Sequence, residues 1–176
     1  MEMQTFDMRR FAHSRKRKVA LVLNIAPLYR KAIFTLLDND PDIDYSFYAG
    51  EESRDVDALI DMRSLLGFKR YLHNIFRGDK LIWQRGWWRI LFGRYDAYIL
   101  TGNPGIRSNW LLMSAARLTG RKVYLWSHGI YGNETPGKLR RNKLYMRMAD
   151  GLLLYGQHGK SMLLKNGFKE SKMSVI

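Results

Sequence analysis

The sequence contains no cysteine and only four prolines in 176 residues. Without cysteine there can be no disulfide, no thiolate metal site and no thiol nucleophile. Acidic residues are also scarce. Sixteen Asp and Glu stand against 30 Lys and Arg, a formal net charge of +14, which points to an anionic partner such as phosphate groups, acidic lipid headgroups or nucleic acid. No apolar run approaches the roughly 20 residues that span a bilayer. The opening MEMQTFDMRRFAHSRKRK has no stretch fit to be a signal-peptide core. The expectation is a cytoplasmic protein, peripheral on the inner face of the membrane if its basic surface meets lipid. There is no GxSxG, so a Ser–His–Asp hydrolase lacks its strained turn.

With 46% hydrophobic and 26% charged residues, the composition excludes disordered and collagen-like chains and suits a globular domain. Residues 1–17 are polar and basic without a period and read as a flexible basic arm. From residue 18 onward strands and helices alternate. Lys18 to Asn24 (KVALVLN) is a continuous apolar run, the mark of a parallel strand covered on both faces. Tyr29 to Asp38 is a helix and Ile43 to Ala49 a strand, which makes an opening βαβ unit. Val56 to Leu66 reads as helical. Lys69 to Phe92 alternates aromatic and basic residues without a steady period and is left unassigned. Asp96 to Thr101 is a strand, Ser108 to Leu118 a helix ended by Gly120, and Lys122 to Ser127 a strand. A basic helix from Leu139 to Met148, a strand from Gly151 to Tyr155, a helix from Lys160 to Asn166 and a strand from Met173 to Ile176 complete the chain. The fold class is α/β: a Rossmann-like, doubly wound parallel sheet over residues 18–176. Ligands of such sheets bind beyond the carboxyl ends of the strands.

Four loops therefore matter. The first, residues 24–30, offers the amide of Asn24 and the cation of Arg30, suited to a phosphate or a sugar hydroxyl; a capped helix start explains it equally well. The second, TGNPGIRSNW, brings Gly102 and Asn103 to a strand end, with Arg107 nearby, although a plain turn capped by Ser108 has the same pattern. The third, WSHGIYGNETPG, sets His128 at a strand end beside Gly129 and Tyr131. A ring nitrogen there can donate to a sugar or phosphate oxygen. The fourth, Gly156 to Gly159, resembles a phosphate-binding loop, but only Gln157 and His158 separate its glycines where four residues are needed. It keeps at most a weak anion site. Asp38, Asp40, Asp42 and Asp44 lie on the wrong edge of the sheet for a metal-nucleotide site and read as a solvated turn. No metal site is expected.

Two surfaces combine rings with cations. Between Phe68 and Tyr95, Arg85, Trp87, Trp88 and Arg89 suit a membrane interface, although some of these rings belong to a core. The helix from Lys138 to Met148 adds Arg140 and Arg141, carries no acid and has a partly apolar side, which a solvated face and a lipid-facing surface explain equally well. Aromatic rings beside cations also stack on single-stranded nucleic acid, but no RNA- or DNA-binding motif accompanies them.

Taken in order, KVALVLNIAPLYRKAIFTLL, YDAYILTGNPG, RKVYLWSHGIYG and MADGLLLYGQHGKSMLLKNGFKESKMSVI resemble the N-terminal domain of family-4, GT-B-type glycosyltransferases, over Lys18 to Ile176. The resemblance implies a domain that holds a glycan or lipid-linked acceptor, with His128 facing the cleft as the catalytic residue. Asn24, Arg30, Gly102, Asn103, Gly129 and Tyr131 would line the acceptor side. It implies no cofactor beyond a nucleotide-sugar donor, bound mainly by a C-terminal domain whose basic pair and glutamate pair would lie beyond Ile176. It also implies that the 176-residue chain alone does not turn over, and that relatives act in polysaccharide biosynthesis on lipid carriers. The alternative is a non-catalytic anion- or nucleic-acid-binding Rossmann-like module.

Overall fold

The computed structural model describes residues 15–54 and 58–176; most of the basic arm lies outside them. Eight strands form one sheet: β1 Arg17–Leu23, β2 Ile43–Gly50, β3 Phe68–Arg77, β4 Lys80–Arg85, β5 Ala97–Thr101, β6 Lys122–Ser127, β7 Gly151–Leu154 and β8 Met173–Val175. Four helices connect them: α1 Lys31–Asp38, α2 Arg107–Leu118, α3 Pro136–Arg147 and α4 Gln157–Lys165. The strand order is β4-β3-β2-β1-β5-β6-β7-β8. Every neighbouring pair is parallel except β3–β4.

The apolar run of β1 is explained by burial on both faces. Ala20 and Val22 join one core with Tyr98, Leu100, Leu112, Leu125 and Tyr145, beneath α2, α3 and α4. Leu21 and Leu23 join another with Phe34 and Phe47, beneath α1. Alternate side chains of a strand point to opposite faces, so a strand between two helical layers has no polar side to show. The doubly wound α/β reading holds.

Two expectations are corrected. The helix read over Val56 to Leu66 is not formed in its described part, residues 58–66. Leu28 N–H donates to Ala58 O and Ile60 N–H to Ala26 O, each at 2.9 Å. The segment lies extended along the loop after β1 before a 3-10 turn at Met62–Ser64. Ile60 and Met62 bury alternately, two residues apart, so external backbone partners replaced the helical ladder. Nor does Ser108 cap α2. The N-cap is Ile106, and the buried Ser108 hydroxyl accepts Gln84 N–H at 3.1 Å, tying the helix to β4.

The unassigned region is the β3–β4 hairpin followed by a 3-10 segment at Trp87–Gly93. Two buried amides anchor the hairpin: Gln84 Nε2 donates to Leu23 O and Asn74 Oδ1, and Asn74 Nδ2 to Asn24 O and Glu52 O, all within 3.1 Å. Buried polar groups of this kind have to find partners. Here those partners lie at the carboxyl end of β1, so the hairpin supports the loop that carries Asn24.

Candidate functional site

Strand order reverses direction about β1, whose neighbours β2 and β5 lead away on opposite sides; this is where doubly wound sheets leave a crevice. The loops after β1, β5 and β6 are joined there. Asn24 N–H donates to Thr101 Oγ1 at 3.0 Å, and the Thr101 hydroxyl donates to Asn24 Oδ1 at 3.2 Å. Gly102 N–H donates to Trp126 O at 2.8 Å. Gly129 N–H donates to Ser127 Oγ at 3.0 Å. Thr101 O in turn accepts from Tyr145 OH and Asn109 Nδ2, so helices α2 and α3 hold the β5 end from behind.

His128 leaves the end of β6 exposed, with its ring stacked on Tyr155 at 4.2 Å and flanked by Tyr131 at 6.0 Å. It makes no side-chain hydrogen bond among the described residues, so its ring nitrogens are uncommitted, and it lines the cavities at this edge. The pKa of His128 is lowered from its ordinary value, first by burial and then by the charge of Arg30. At neutral pH the imidazole is uncharged and can donate one hydrogen bond or accept a proton.

Arg30 is the second component. Its guanidinium stands over the rings of Trp126, Tyr155 and Tyr29 at 5.0, 5.1 and 5.3 Å, a position within cation–π range. No carboxylate among the described residues pairs with it. A planar cation held by aromatic faces, with its donors unused, has the chemistry to receive a phosphate or carboxylate.

Three cavities meet at this edge. One of about 210 Å³ is lined by Asn24, Arg30, Gly102, Asn103, His128 and Tyr155 among others. A second, about 260 Å³, lies on the other side of His128 and includes Tyr131, Glu134, Lys138, Arg141 and Asn142. The third is a cleft of about 1170 Å³ running beneath the hairpin from Asn24 to Arg141. Asn103 lines all three. Its Oδ1 accepts Gly105 N–H at 2.8 Å, which braces the turn.

The six residues read as acceptor-binding thus occupy one edge with His128, in different postures. Gly129 lies behind His128 at φ +81°, and a Cβ there would sit 3.1 Å from Gly159 Cα. A Cβ on Gly159 would sit 2.3 Å from His128 O. Gly159, one of the two glycines that imitate a phosphate loop, therefore serves close packing of α4 against the His128 backbone, whereas Gly156 has nothing within 4 Å of an added Cβ. Lys160, in the same stretch, pairs with Glu170 at 2.7 Å. Tyr131 and Gly132 donate their backbone N–H groups to Glu134, each at 2.9 Å. Burial raises the Glu134 pKa, but these donors and Lys138 outweigh it and hold the group below its ordinary value, which fixes the loop around His128.

The residues read as a membrane surface separate. Trp87 is half-buried against the core, whereas Trp88 and Phe92 face solvent with Arg89 over the Trp88 ring at 5.2 Å; Arg85 is also exposed. On α3, Arg141 lines the cleft, while Arg140 lies with Leu139, Lys143 and Leu144 on another flank. The Asp cluster sits at the opposite edge from His128. Asp38 accepts from Leu66 and Gly67, and Asp40 from Asp42 and Ile43. Thr101, Ser127 and Tyr155 escaped the sequence reading. Each is placed by the sequence at the end of an apolar strand, but none is singled out there as a site residue.

No protein-family model and no curated protein sequence matches the chain. Solved structures do match its fold. UDP-N-acetylglucosamine 2-epimerase superposes with a TM-score of 0.61 at 16% identity, over 92% of this chain and 48% of that one. The lipopolysaccharide outer core galactosyltransferase WaaB, in its apo form, superposes with a TM-score of 0.55 at 13% identity, over 90% of this chain and 44% of that one. The chain spans about half the length of these structures and shares the Rossmann-like α/β fold found in GT-B-type proteins.

Proposed function

We propose that this chain is the acceptor-binding half of a GT-B-type glycosyltransferase, serving transfer of a sugar from a nucleotide sugar to a glycan or lipid-linked acceptor in polysaccharide biosynthesis. The observation that carries the reading is the unpaired Arg30 guanidinium beside an uncharged, uncommitted His128 at the switch point of the sheet. The solved structures that share the fold, a nucleotide-sugar epimerase and a galactosyltransferase, agree with sugar chemistry at that edge.

In this reading His128 hydrogen-bonds a reacting sugar oxygen, Arg30 holds an anionic group of the bound saccharide or donor, and Asn24 and Asn103 orient hydroxyls. Stabilising a departing diphosphate needs cations placed against it; the resemblance assigns these to a second domain. Binding of acceptor is therefore the property expected of these 176 residues. Titration followed by NMR at the His128 ring tests this. Phosphorylated saccharides should shift its signals. If a single-stranded RNA oligomer shifts them and saccharides do not, the chain is a nucleic-acid-binding module instead.

The second component is location. Trp88 and Phe92 are 49% and 74% exposed and pack edge to face at 6.1 Å, with Arg85 and Arg89 alongside. Such a pairing of rings and cations suits an acidic lipid surface. The contact proposed is peripheral; no helix among the described residues is long and apolar enough to cross a membrane.

A further inference from the structure

The basic helix α3 turns one stripe toward His128. Lys138, Arg141, Asn142 and Tyr145 lie three and four positions apart along it, the spacing that gathers side chains on one helical face. Tyr145 is fully buried and donates its hydroxyl to Thr101 O at 3.2 Å, which fixes this face against the end of β5. Lys138, Arg141 and Asn142 then line the cavity of about 260 Å³ that His128 shares with Tyr131 and Glu134. That volume lies just under the usual range for a small-molecule site, roughly 300 to 1,000 Å³, and suits a single sugar ring.

Asn142 is the residue that the fold leaves unexplained. It is 7% exposed, its Oδ1 is buried without a partner, and its amide makes no side-chain hydrogen bond among the described residues. Buried amides nearly always find partners, and this one borders a cavity. A sugar hydroxyl both donates and accepts, so it completes an amide whichever end is turned toward it.

The charges around this amide nearly cancel. Glu134 accepts backbone N–H groups from Tyr131 and Gly132; burial opposes its charge, while these donors and Lys138 hold it. Glu134 and Lys138 therefore offset each other. Arg141 is exposed and has no hydrogen bond or ion pair among the described residues. It also reaches the cleft beneath the hairpin, yet neither acid of that lining, Glu52 or Asp79, pairs with it. One uncompensated guanidinium beside an open amide calls for a group of a single negative charge on a body rich in hydroxyls. A carboxylate meets a guanidinium through two parallel hydrogen bonds, whereas a phosphate dianion would crowd Glu134. Tyr131, 57% exposed, supplies an aromatic face for the ring to lie against.

We propose that this cavity binds one carboxylate-bearing sugar, a hexuronate unit, with its carboxylate on Arg141 and a ring hydroxyl on the Asn142 amide. The proposal rests on the reading that this edge serves sugar transfer. It narrows the acceptor from a glycan in general to an acidic one whose charge is on the sugar itself.

The full chain, titrated by NMR with methyl glucuronide, methyl galacturonide, methyl glucoside and acetate, tests it. The better uronide is expected to bind at least tenfold more tightly than the glucoside or acetate. Arg141→Gln, a change at an exposed side chain, should bring the uronide to within about twofold of the glucoside. Asn142→Leu removes an amide that bonds nothing in the fold, so its urea midpoint should match or exceed that of the wild type while uronide and glucoside both weaken about tenfold. Glucoside or acetate binding as tightly as the uronides would overturn the proposal, as would an Arg141→Gln chain that keeps the uronide preference. A uronide lost on Arg30→Gln and kept on Arg141→Gln places the carboxylate in the other cavity and sinks it too. An Asn142→Leu midpoint well below the wild type makes the amide structural and has the same consequence. A chain that passes while phosphorylated saccharides leave the His128 ring unmoved keeps the acidic-sugar site and loses the acceptor-half role. A chain whose His128 responds to saccharides without a uronide preference loses only this inference.

Discussion

The imidazole of His128 lies nearly parallel to the phenol ring of Tyr155, centroids 4.2 Å apart and planes inclined by 29°, and Arg30 covers the same phenol at 5.1 Å. One aromatic ring therefore holds both the cation and the base of the site, close enough for the charge of Arg30 to disfavour the imidazolium of His128.

That coupling sets the titration of His128. Its pKa should fall below 6.5, because burial and then Arg30 disfavour the imidazolium. Arg30→Gln removes the second cause and should raise the value, and saturating inorganic phosphate should raise it in the wild-type chain by neutralising the guanidinium. NMR titration of the ring reads both. A His128 pKa indifferent to Arg30→Gln would show that the two do not share a site.

Acid stability follows with a definite sign. The unfolded chain protonates its histidine at 128 near 6.5 and the folded one only below that value, so the unfolded state binds more protons in between. Stability from this group is complete above pH 6.5 and is lost as pH falls through the folded value. Glu134 and Asp150, both held below their ordinary values of 4.5 and 3.8, lose theirs further down. Urea midpoints measured from pH 7.5 to 4 should decline, and His128→Gln should flatten the upper part of that decline. A midpoint that climbs on acidification in this window contradicts the assignment.

Gly129→Ala should destabilise the fold by about 2 to 4 kcal/mol, since it combines a left-handed backbone with a forced contact. The backbone sits at φ +81° and the new Cβ would meet Gly159. Gly137 has nothing within 4 Å of an added Cβ and lies in α3. Gly137→Ala should therefore be neutral or stabilise by up to about 1 kcal/mol. Denaturant melts of both variants check the pair, and a wild-type midpoint for Gly129→Ala would refute the packing argument.

Co-sedimentation with vesicles examines the proposed lipid contact. Binding should be stronger to acidic than to neutral vesicles at low salt and weaken as salt screens the cations. Trp88→Ser with Phe92→Ser should reduce it several-fold while the chain stays folded, because both rings face solvent. Equal binding to neutral and acidic vesicles would remove the electrostatic part of the idea.

Much of the architecture was legible in the chain. Continuous apolar runs such as KVALVLN and KVYLWS mark strands buried on both faces, and their ends placed Asn24, Arg30, Gly102, Asn103 and His128 on one edge of the sheet. The segments that misled were those whose partners are distant in sequence. Residues 58–66 took backbone hydrogen bonds from the β1 loop instead of forming a helix, and residues 69–92 became a hairpin anchored by Asn74 and Gln84. In both, partners distant in sequence decide the conformation, so the local pattern did not reveal it.

The sequence by itself determined the alternation of strands and helices, the basic charge and the strand-end loops, since each follows from local burial patterns and residue type. Only the tertiary structure decided that Tyr155 holds Arg30 and His128 together, that Gly159 serves packing, and that Arg141 faces a cleft beneath the hairpin. Those facts depend on strand order and on contacts between residues up to about a hundred positions apart or more, which no local pattern encodes.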